Sequence, residues 1–292
     1  MLSGTSAAGA GRNGGSLVVA RFHEPVRFDP GGSRHWRLGG LDLFVRRMAD
    51  GWLVQTVIGH SEEELDRPDI LATAVEWEPG NSATDVIRYY SGKDSSDVLR
   101  LTPLLPDRPV VARPREPFAI APGQSANLFL GVPLWLELVT GDAAHLVAHP
   151  SARLADTWFG PSTLSGELCY ASITHCRTSL EEMIESSWRA VTPLVLENHG
   201  KDVWSLDRVA LPVPLLPLFR AADGRYWTSE LSAVRERSGE VDAVRAGQSA
   251  PAGVRGPAVA EPRQADRSSW LGRFYGNVLS ASGTGRRGPL AP

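Results

Sequence analysis

Ala126-Asn127-Leu128-Phe129-Leu130-Gly131-Val132-Pro133-Leu134-Trp135-Leu136-Glu137-Leu138-Val139 is the stretch that decides the fold of this chain. Every even position from 128 to 138 is aliphatic: Leu128, Leu130, Val132, Leu134, Leu136 and Leu138. The odd positions are far more mixed, with Asn127, Gly131, Pro133 and Glu137 among them. A period of two sets one hydrocarbon row on a single side of an extended strand, whereas a helix would scatter the same leucines around its circumference. Burying such a row stabilises by roughly 9–18 kcal/mol as an upper bound, at about 1.5–3 for each side chain. A β-rich core is therefore expected.

Outward from this stretch, short apolar runs alternate with turn residues from Leu17 to about Leu231, the pattern of an all-β sandwich or barrel. Leu41, Leu43 and Val45 alternate, and so do Trp52, Val54, Thr56 and Ile58. Between them lies Met48-Ala49-Asp50-Gly51, whose Asp-Gly pair favours the positive φ of a tight hairpin. Further strands are predicted at 17–22, 70–77, 86–90, 98–104, 109–112, 117–120, 145–149, 166–174, 190–197, 203–211, 215–219 and 225–231. Ser61 with Glu64, and Ser179 with Glu182, are spaced as capping boxes and predict two short helices.

The run Pro103-Leu104-Leu105-Pro106-Asp107-Arg108-Pro109 would interrupt a sheet ladder, because proline donates no backbone hydrogen bond. The expected organisation is a disordered leader at 1–15, an N-terminal β region at 16–105 and a C-terminal β-sandwich region at 106–232. These regions are either two packed β-sandwich halves or one large sandwich. Residues 233–292, rich in Ala, Gly, Pro, Arg and Ser, are expected to form a disordered basic tail, since they bury too little apolar surface to offset ordering entropy.

Composition bounds the function classes. The net charge of −3 hides an asymmetry: residues 1–232 hold 21 basic and 28 acidic groups, and residues 233–292 hold nine basic and five acidic. An acidic body argues against nucleic acid as a partner of the folded part. No secretory signal stands in the first fifteen residues, and no run of about 18 apolar residues spans a membrane. Two cysteines in 292 residues suit a reducing cytoplasm, the expected location. Nine tryptophans need a core or a partner.

Two Gly-x-Gly-x-x-Gly matches, at Gly9, Gly11, Gly14 and Gly283, Gly285, Gly288, lack the strand before and helix after that a nucleotide loop requires. Cys169, His175 and Cys176 look like metal ligands. On a strand, however, the first two lie about 20 Å apart, and ligands must converge within about 2.0–2.3 Å of one ion. Buried thiols are the favoured reading. His145 and His149 lack the glutamate of a helical zinc motif. The acidic run Glu62, Glu63, Glu64, Asp66 and Asp69 lacks the spacing of a calcium loop and reads as a solvated helix face. No Gly-x-Ser-x-Gly elbow occurs. No catalytic residue, cofactor or metal is implied.

Two candidates remain. Asp156-Thr157-Trp158-Phe159-Gly160 followed by Gly166-Glu167-Leu168-Cys169-Tyr170 is the most distinctive local text. Trp158 and Tyr170 have polar tips that can meet a ligand, and Glu167 could orient one. The competing and favoured reading is a glycine-bearing loop between two core strands with aromatics packed beneath it. In the tail, Trp270, Leu271, Phe274, Tyr275, Val278 and Leu279 would share one face of a helix over 267–279, beside Arg267 and Arg273. Such a segment could dock to a protein partner, although Gly272 and Gly276 each cost it roughly 1 kcal/mol as helix.

One resemblance follows from the strand pattern. Pro122-Gly123, Leu128-Phe129-Leu130 leading to Pro133, Phe159-Gly160-Pro161 with Gly166, and Leu194-Val195-Leu196 with Asn198 form an ordered series. It continues through Trp204, Val209, Leu218, Phe219 and Trp227, and the whole resembles the prokaryotic family named domain of unknown function 432 (DUF432). The resemblance covers about residues 20–235, is strongest after 115 and excludes the tail. It implies a shared fold and brings no activity or catalytic residues with it. The expected protein is a non-catalytic all-β module that binds or assembles. The alternatives are a small-ligand binder or enzyme using the Trp158–Tyr170 region, and an adaptor whose tail docks to a partner.

Overall fold

The computed structural model describes residues 22–59, 68–79, 86–91, 95–114, 118–160, 166–174, 176–183, 186–238 and 244–264. Over the first half the strands are β1 (Val26–Arg27), β2 (Ser33–Leu38), β3 (Leu41–Met48), β4 (Gly51–Ile58), β5 (Ile70–Ala74), β6 (Val86–Tyr90), β7 (Val98–Leu104) and β8 (Val110–Pro114). Next come β9 (Phe118–Ile120), β10 (Ser125–Pro133), β11 (Trp135–Thr140), β12 (His145–Pro150), β13 (Ala155–Phe159), β14 (Glu167–Thr174) and β15 (Arg189–Asn198). Last are β16 (Trp204–Leu206), β17 (Val209–Leu211), β18 (Leu218–Arg220), β19 (Tyr226–Thr228), β20 (Leu231–Arg235) and β21 (Arg245–Ala246). The helical content among the described residues is two single 3-10 turns, at Leu180–Glu182 and Val213–Leu215.

These strands make five sheets. Their orders are β5-β2-β3-β4-β6, β1-β7-β11-β12, β13-β14-β8-β17, β16-β9 and β18-β19-β15-β20-β21, the last with β10 on the other side of β15. Most pairs are antiparallel, but β14 with β8, and β15 with β19 and β20, run parallel. One cluster of buried apolar side chains draws on every sheet, from Trp36 and Leu43 through Leu101, Val111, Leu136 and Leu194 to Trp204 and Leu218. The protein is all-β.

The deciding stretch is two strands rather than one. β10 runs antiparallel to β15, with Leu128 opposite Leu194. At Pro133 the chain leaves that partner, as a residue without an N–H must end a ladder or sit at its edge. The Leu134 N–H then donates to the Trp188 carbonyl at 2.9 Å, and β11 continues between β7 and β12 in a different sheet. The alternation survives this change of partner. Leu128, Leu130, Val132, Leu134, Leu136 and Leu138 are all at most 3% exposed.

Two polar side chains tie the loops to this frame. Arg47, 4% exposed, donates to Asp97, to the carbonyls of Met48, Gly51 and Ser95, and to the Ser95 hydroxyl. It thus fastens the β3–β4 hairpin to the segment that enters β7. Asn198, fully buried, donates to the carbonyls of Ile120 and Asp202 at 2.9 Å each and accepts from the Gly200 N–H. Gly123, at φ 71°, donates its own N–H to the Asn198 carbonyl. Leaving any of these groups unpaired would cost about 1–3 kcal/mol, which explains the choice of Asn and Gly at these positions.

Several expectations from the sequence are corrected. In the β3–β4 hairpin Met48 pairs with Gly51, so the turn residues are Ala49 and Asp50. Gly51 is needed for room, because a Cβ there would overlap the Tyr89 carbonyl oxygen. The helix expected from Ser179 is one 3-10 turn, with the Ser179 hydroxyl accepting from the Glu181 N–H. The segment 203–211 forms β16 and β17 in separate sheets, and β13 is a strand that no apolar alternation announced. The proline-rich run near Leu105 ends β7, yet β7 pairs with β11 on the far side of it, so one sheet spans that position.

The ordered body also runs past residue 232. β20 reaches Arg235 and β21 pairs with it, while Leu218 and Ala260 exchange backbone hydrogen bonds. Ala250, Val254 and Ala258 rest on Phe219 and Trp227. A few small apolar residues suffice here because a hydrophobic patch and open strand edges are already present, a circumstance that composition does not register. The leader at 1–15, the capping box at Ser61 and the segment 267–279 lie outside the described residues.

Replacing Leu130 by Ala should remove about 2–5 kcal/mol of stability, and Asn127→Ala, at an exposed position on the opposite face of the same strand, less than about 0.5. Chemical denaturation of the two variants, compared at constant denaturant slope, checks both values.

Candidate functional site

In the β13–β14 ladder Asp156 lies opposite Tyr170, and Trp158 opposite Leu168. Residues directly opposed in an antiparallel pair point to the same side of the sheet. Asp156, Trp158, Leu168 and Tyr170 therefore share one face. Thr157, Phe159, Glu167 and Cys169 share the other, where Phe159 and Cys169 are buried. The structure brings Trp158 and Tyr170 together and sets Glu167 on the opposite side, as an odd separation along a strand requires. Counting parity from Cys169 as a core residue would have revealed this from the sequence.

The shared face is built up by its neighbours. The Tyr170 hydroxyl donates to Asp107 Oδ1 at 3.0 Å. The Arg108 guanidinium lies 5.3 Å from the centre of the Tyr170 ring and reaches Asp156 Oδ1 at 3.2 Å. Trp135, at the start of β11, stands 6.1 Å from the Tyr170 ring. Arg263 lies 5.3 Å from the centre of Trp135 and donates through Nε to the Leu105 carbonyl at 2.6 Å. One strand step beyond Trp135 on the same side, Glu137 pairs with His145 Nδ1 at 3.0 Å. Asp107, Arg108, Trp135 and Arg263 thus join the site, and no periodicity marks them as neighbours of Tyr170 because they come from a loop, a strand end and the C-terminal segment.

The site meets solvent at Trp158, 44% exposed, and Leu168, 41% exposed. The Trp158 indole fits because residue 166 is glycine: a Cβ there would overlap its Nε1. Burial, then the bond to Asp107, pushes the Tyr170 phenol up to about 12, so the hydroxyl stays a donor across the neutral range. Burial lowers the pKa of Arg263, while Asp107, Glu137 and Tyr170 act in the opposite direction. Cation over ring and carboxylate beside cation make a stiff, mutually paired frame around the two exposed apolar groups. Such a frame is suited to recognition.

The other sequence candidates fall elsewhere. Burial and the charge of Glu167 push the Cys169 thiol up to about 12, and burial takes Cys176 to about 11. Both are free thiols. Among the described residues no group of three His, Cys, Asp or Glu side chains converges as a metal site would require. His175, the acidic run from Glu62 to Asp66, both glycine motifs and Trp270, Leu271, Phe274 and Tyr275 lie outside the described residues. A second polar cluster stands on the five-stranded sheet. There Asp42 holds His35 at 2.7 Å and Arg37 at 2.8 Å, and the His35 ring stacks on Phe44 at 4.3 Å. Trp77 stacks on the Phe44 ring in turn and donates to Gln55.

Two outcomes follow from the titrations. With the phenol raised above its ordinary 10, the folded state keeps a proton that the unfolded chain releases, so this contribution is whole below pH 10 and disappears toward pH 12. Tyr170→Phe should flatten that alkaline loss, leaving the part due to Tyr226, which burial also holds at about 12, and should cost about 1 kcal/mol at neutral pH. Denaturation midpoints from pH 8 to 12 check this. The native protein should also react with a thiol reagent at neutral pH at least about a hundredfold more slowly than in denaturant, given how few thiolates these pKa values leave.

No helix among the described residues is long and apolar enough to cross a membrane. No curated protein and no solved structure matches the chain. A family match covers residues 22–278, and so confirms the resemblance read from the Gly, Pro and aromatic series while carrying it beyond residue 235 into the C-terminal segment. The chain belongs to the family described as Protein of unknown function (DUF432).

Proposed function

We propose that this protein is a non-catalytic binding module whose contact surface is the outer face of the β13–β14 hairpin. The observation that carries this reading is the pair Trp158 and Leu168, large apolar side chains open to solvent on a face whose neighbouring charges are already paired. Tryptophan in such a setting is the residue type that contributes most when a partner covers it. Around the face three carboxylates, Asp107, Asp156 and Glu137, stand against two guanidinium groups, Arg108 and Arg263, and this small negative excess favours a partner with positive charge flanking its apolar groups. The partner in this reading is a protein segment, basic at its edges and aromatic or aliphatic at its centre. Free thiols at Cys169 and Cys176 fit the cytoplasm as the working compartment.

Selection of a random peptide library on the wild-type protein should enrich sequences that combine aromatic or aliphatic residues with arginine or lysine. Their binding should fall by about tenfold or more in Trp158→Ala with Leu168→Ser, matching the loss of one or two interface anchors. Enrichment of such peptides with no dependence on Trp158 or Leu168 would move the surface elsewhere, and no enrichment would end the reading.

A further inference from the structure

The five-stranded sheet β5-β2-β3-β4-β6, a different sheet from the one that bears the β13–β14 hairpin, carries an open cleft of about 310 Å³. Phe28, Asp29, Arg34, Ala74, Val75 and Glu76 line it. One wall is the connection into β2. In Asp29-Pro30-Gly31-Gly32 the Gly32 N–H donates to the Asp29 carbonyl at 2.8 Å, and Gly31 takes φ 77° behind a proline, the signature of a type II turn. The turn is pinned to β3: the Gly31 N–H donates to the Arg47 carbonyl and the Arg47 N–H to the Gly32 carbonyl, each at 3.0 Å. Phe28, just before it, is 2% exposed and packs edge-on against Trp52.

The other wall is the exit of β5. That strand holds one extra residue between Ile70 and Thr73, where Ala72 takes φ 46°. The extra residue sets Ala74, and not Thr73, opposite Arg34. Such a bulge re-aims the strand beyond it, and a left-handed alanine is costly enough that its surroundings must hold it there. Past the strand the Val75 N–H donates to the Ser33 carbonyl at 3.2 Å, while Trp77 stacks on Phe44 and its carbonyl accepts from Arg46. Glu76 therefore stands between two anchored residues.

The charges at this cleft are unspent. Among the described residues the side chains of Asp29, Arg34 and Glu76 form no ion pair or hydrogen bond, whereas Arg37, Arg46, Arg47 and Arg88 of the same sheet are each paired with a carboxylate. Two carboxylates repel a simple anion and the guanidinium repels a simple cation. A ligand that carries both charges satisfies all three groups.

We propose that the cleft binds a small zwitterion, a free α-amino acid with an apolar side chain. An ammonium has three N–H donors, and Asp29, Glu76 and the Ser33 hydroxyl of the same lining are three acceptors. The planar Arg34 guanidinium matches both oxygens of a carboxylate. Phe28, Ala74 and Val75 supply an apolar wall for the side chain. The volume stands at the low end for small-molecule sites, which suits a ligand of this size and not a nucleotide.

Saturation-transfer NMR on the full-length protein, with L-valine, L-leucine, L-methionine and L-phenylalanine as probes, tests the site. At least one should bind in the millimolar range or tighter. Its N-acetyl and carboxamide derivatives, each lacking one charge, should bind about tenfold or more weakly. Arg34→Gln should weaken the amino acid by the same order without weakening its carboxamide. Asp29→Asn with Glu76→Gln, both at exposed positions, should weaken the amino acid without weakening the N-acetyl derivative. An unchanged melting temperature shows that a variant is folded, and where Arg34→Gln lowers it the acidic pair decides. Binding by none of the four probes overturns the proposal. So does binding indifferent to these substitutions, or a carboxamide that binds as tightly as its parent, since the cleft would then read an amine alone.

Discussion

The whole body hangs on one oily row that serves two sheets. Leu128, Leu130 and Val132 belong to the ladder with β15, and Leu136 and Leu138 to the ladder with β7 and β12, yet all five face the same buried cluster. The join is Leu134, whose backbone bonds to Trp188 and Ser151 while its side chain stays in register with the row. A slip of one residue on either side of the join would turn half the row to solvent. The two sheets are therefore locked to each other by the continuity of a single strand path, and the rest of the chain is arranged around that path.

The candidate site inherits its geometry from this path. Trp135 is the first residue of β11, immediately after the join, and its ring is what places Arg263 and the C-terminal segment beside Tyr170. Asp107 and Arg108 follow β7, the partner of β11, and their side chains close over the other side of Tyr170. The loop that looked like a break between domains is thus held by strands on both sides of it, and its charges are spent on fixing one tyrosine. A rigid rim of this kind leaves recognition to the two apolar groups that it does not enclose.

Much of this was legible in the sequence, for a definite reason. Period-two alternation depends on side chains alone, so the strands at Leu41–Met48, Gly51–Ile58 and Glu167–Thr174 could be read close to their true limits. Strand pairing is a tertiary fact and could not. Nothing local in Ala155–Phe159 marks a strand, because its partner β14 supplies the order that its own polar composition does not. The same holds for residues 244–264, whose small residues find a prepared patch. For the site, residue chemistry pointed to Trp158 and Tyr170, and parity separates Glu167 from them. Asp107, Arg108 and Arg263 were hidden because their meeting at Tyr170 depends on segments from two distant parts of the chain.

The backbone bonds that join Leu218 to Ala260 and β20 to β21 carry a consequence for biosynthesis. The sheet around β15 is finished by residues close to the end of the described chain, whereas β10, its longest antiparallel partner, is made far earlier. A ribosome adding about 5–20 residues each second would expose the unfinished edges of β18 and β20 for several seconds before the closing segment emerges from the exit tunnel. Nascent chains truncated before residue 244 would display those open edges and the Phe219–Trp227 patch together, which makes the interval between the synthesis of β20 and that of residues 244–264 the one in which a chaperone has most to shield.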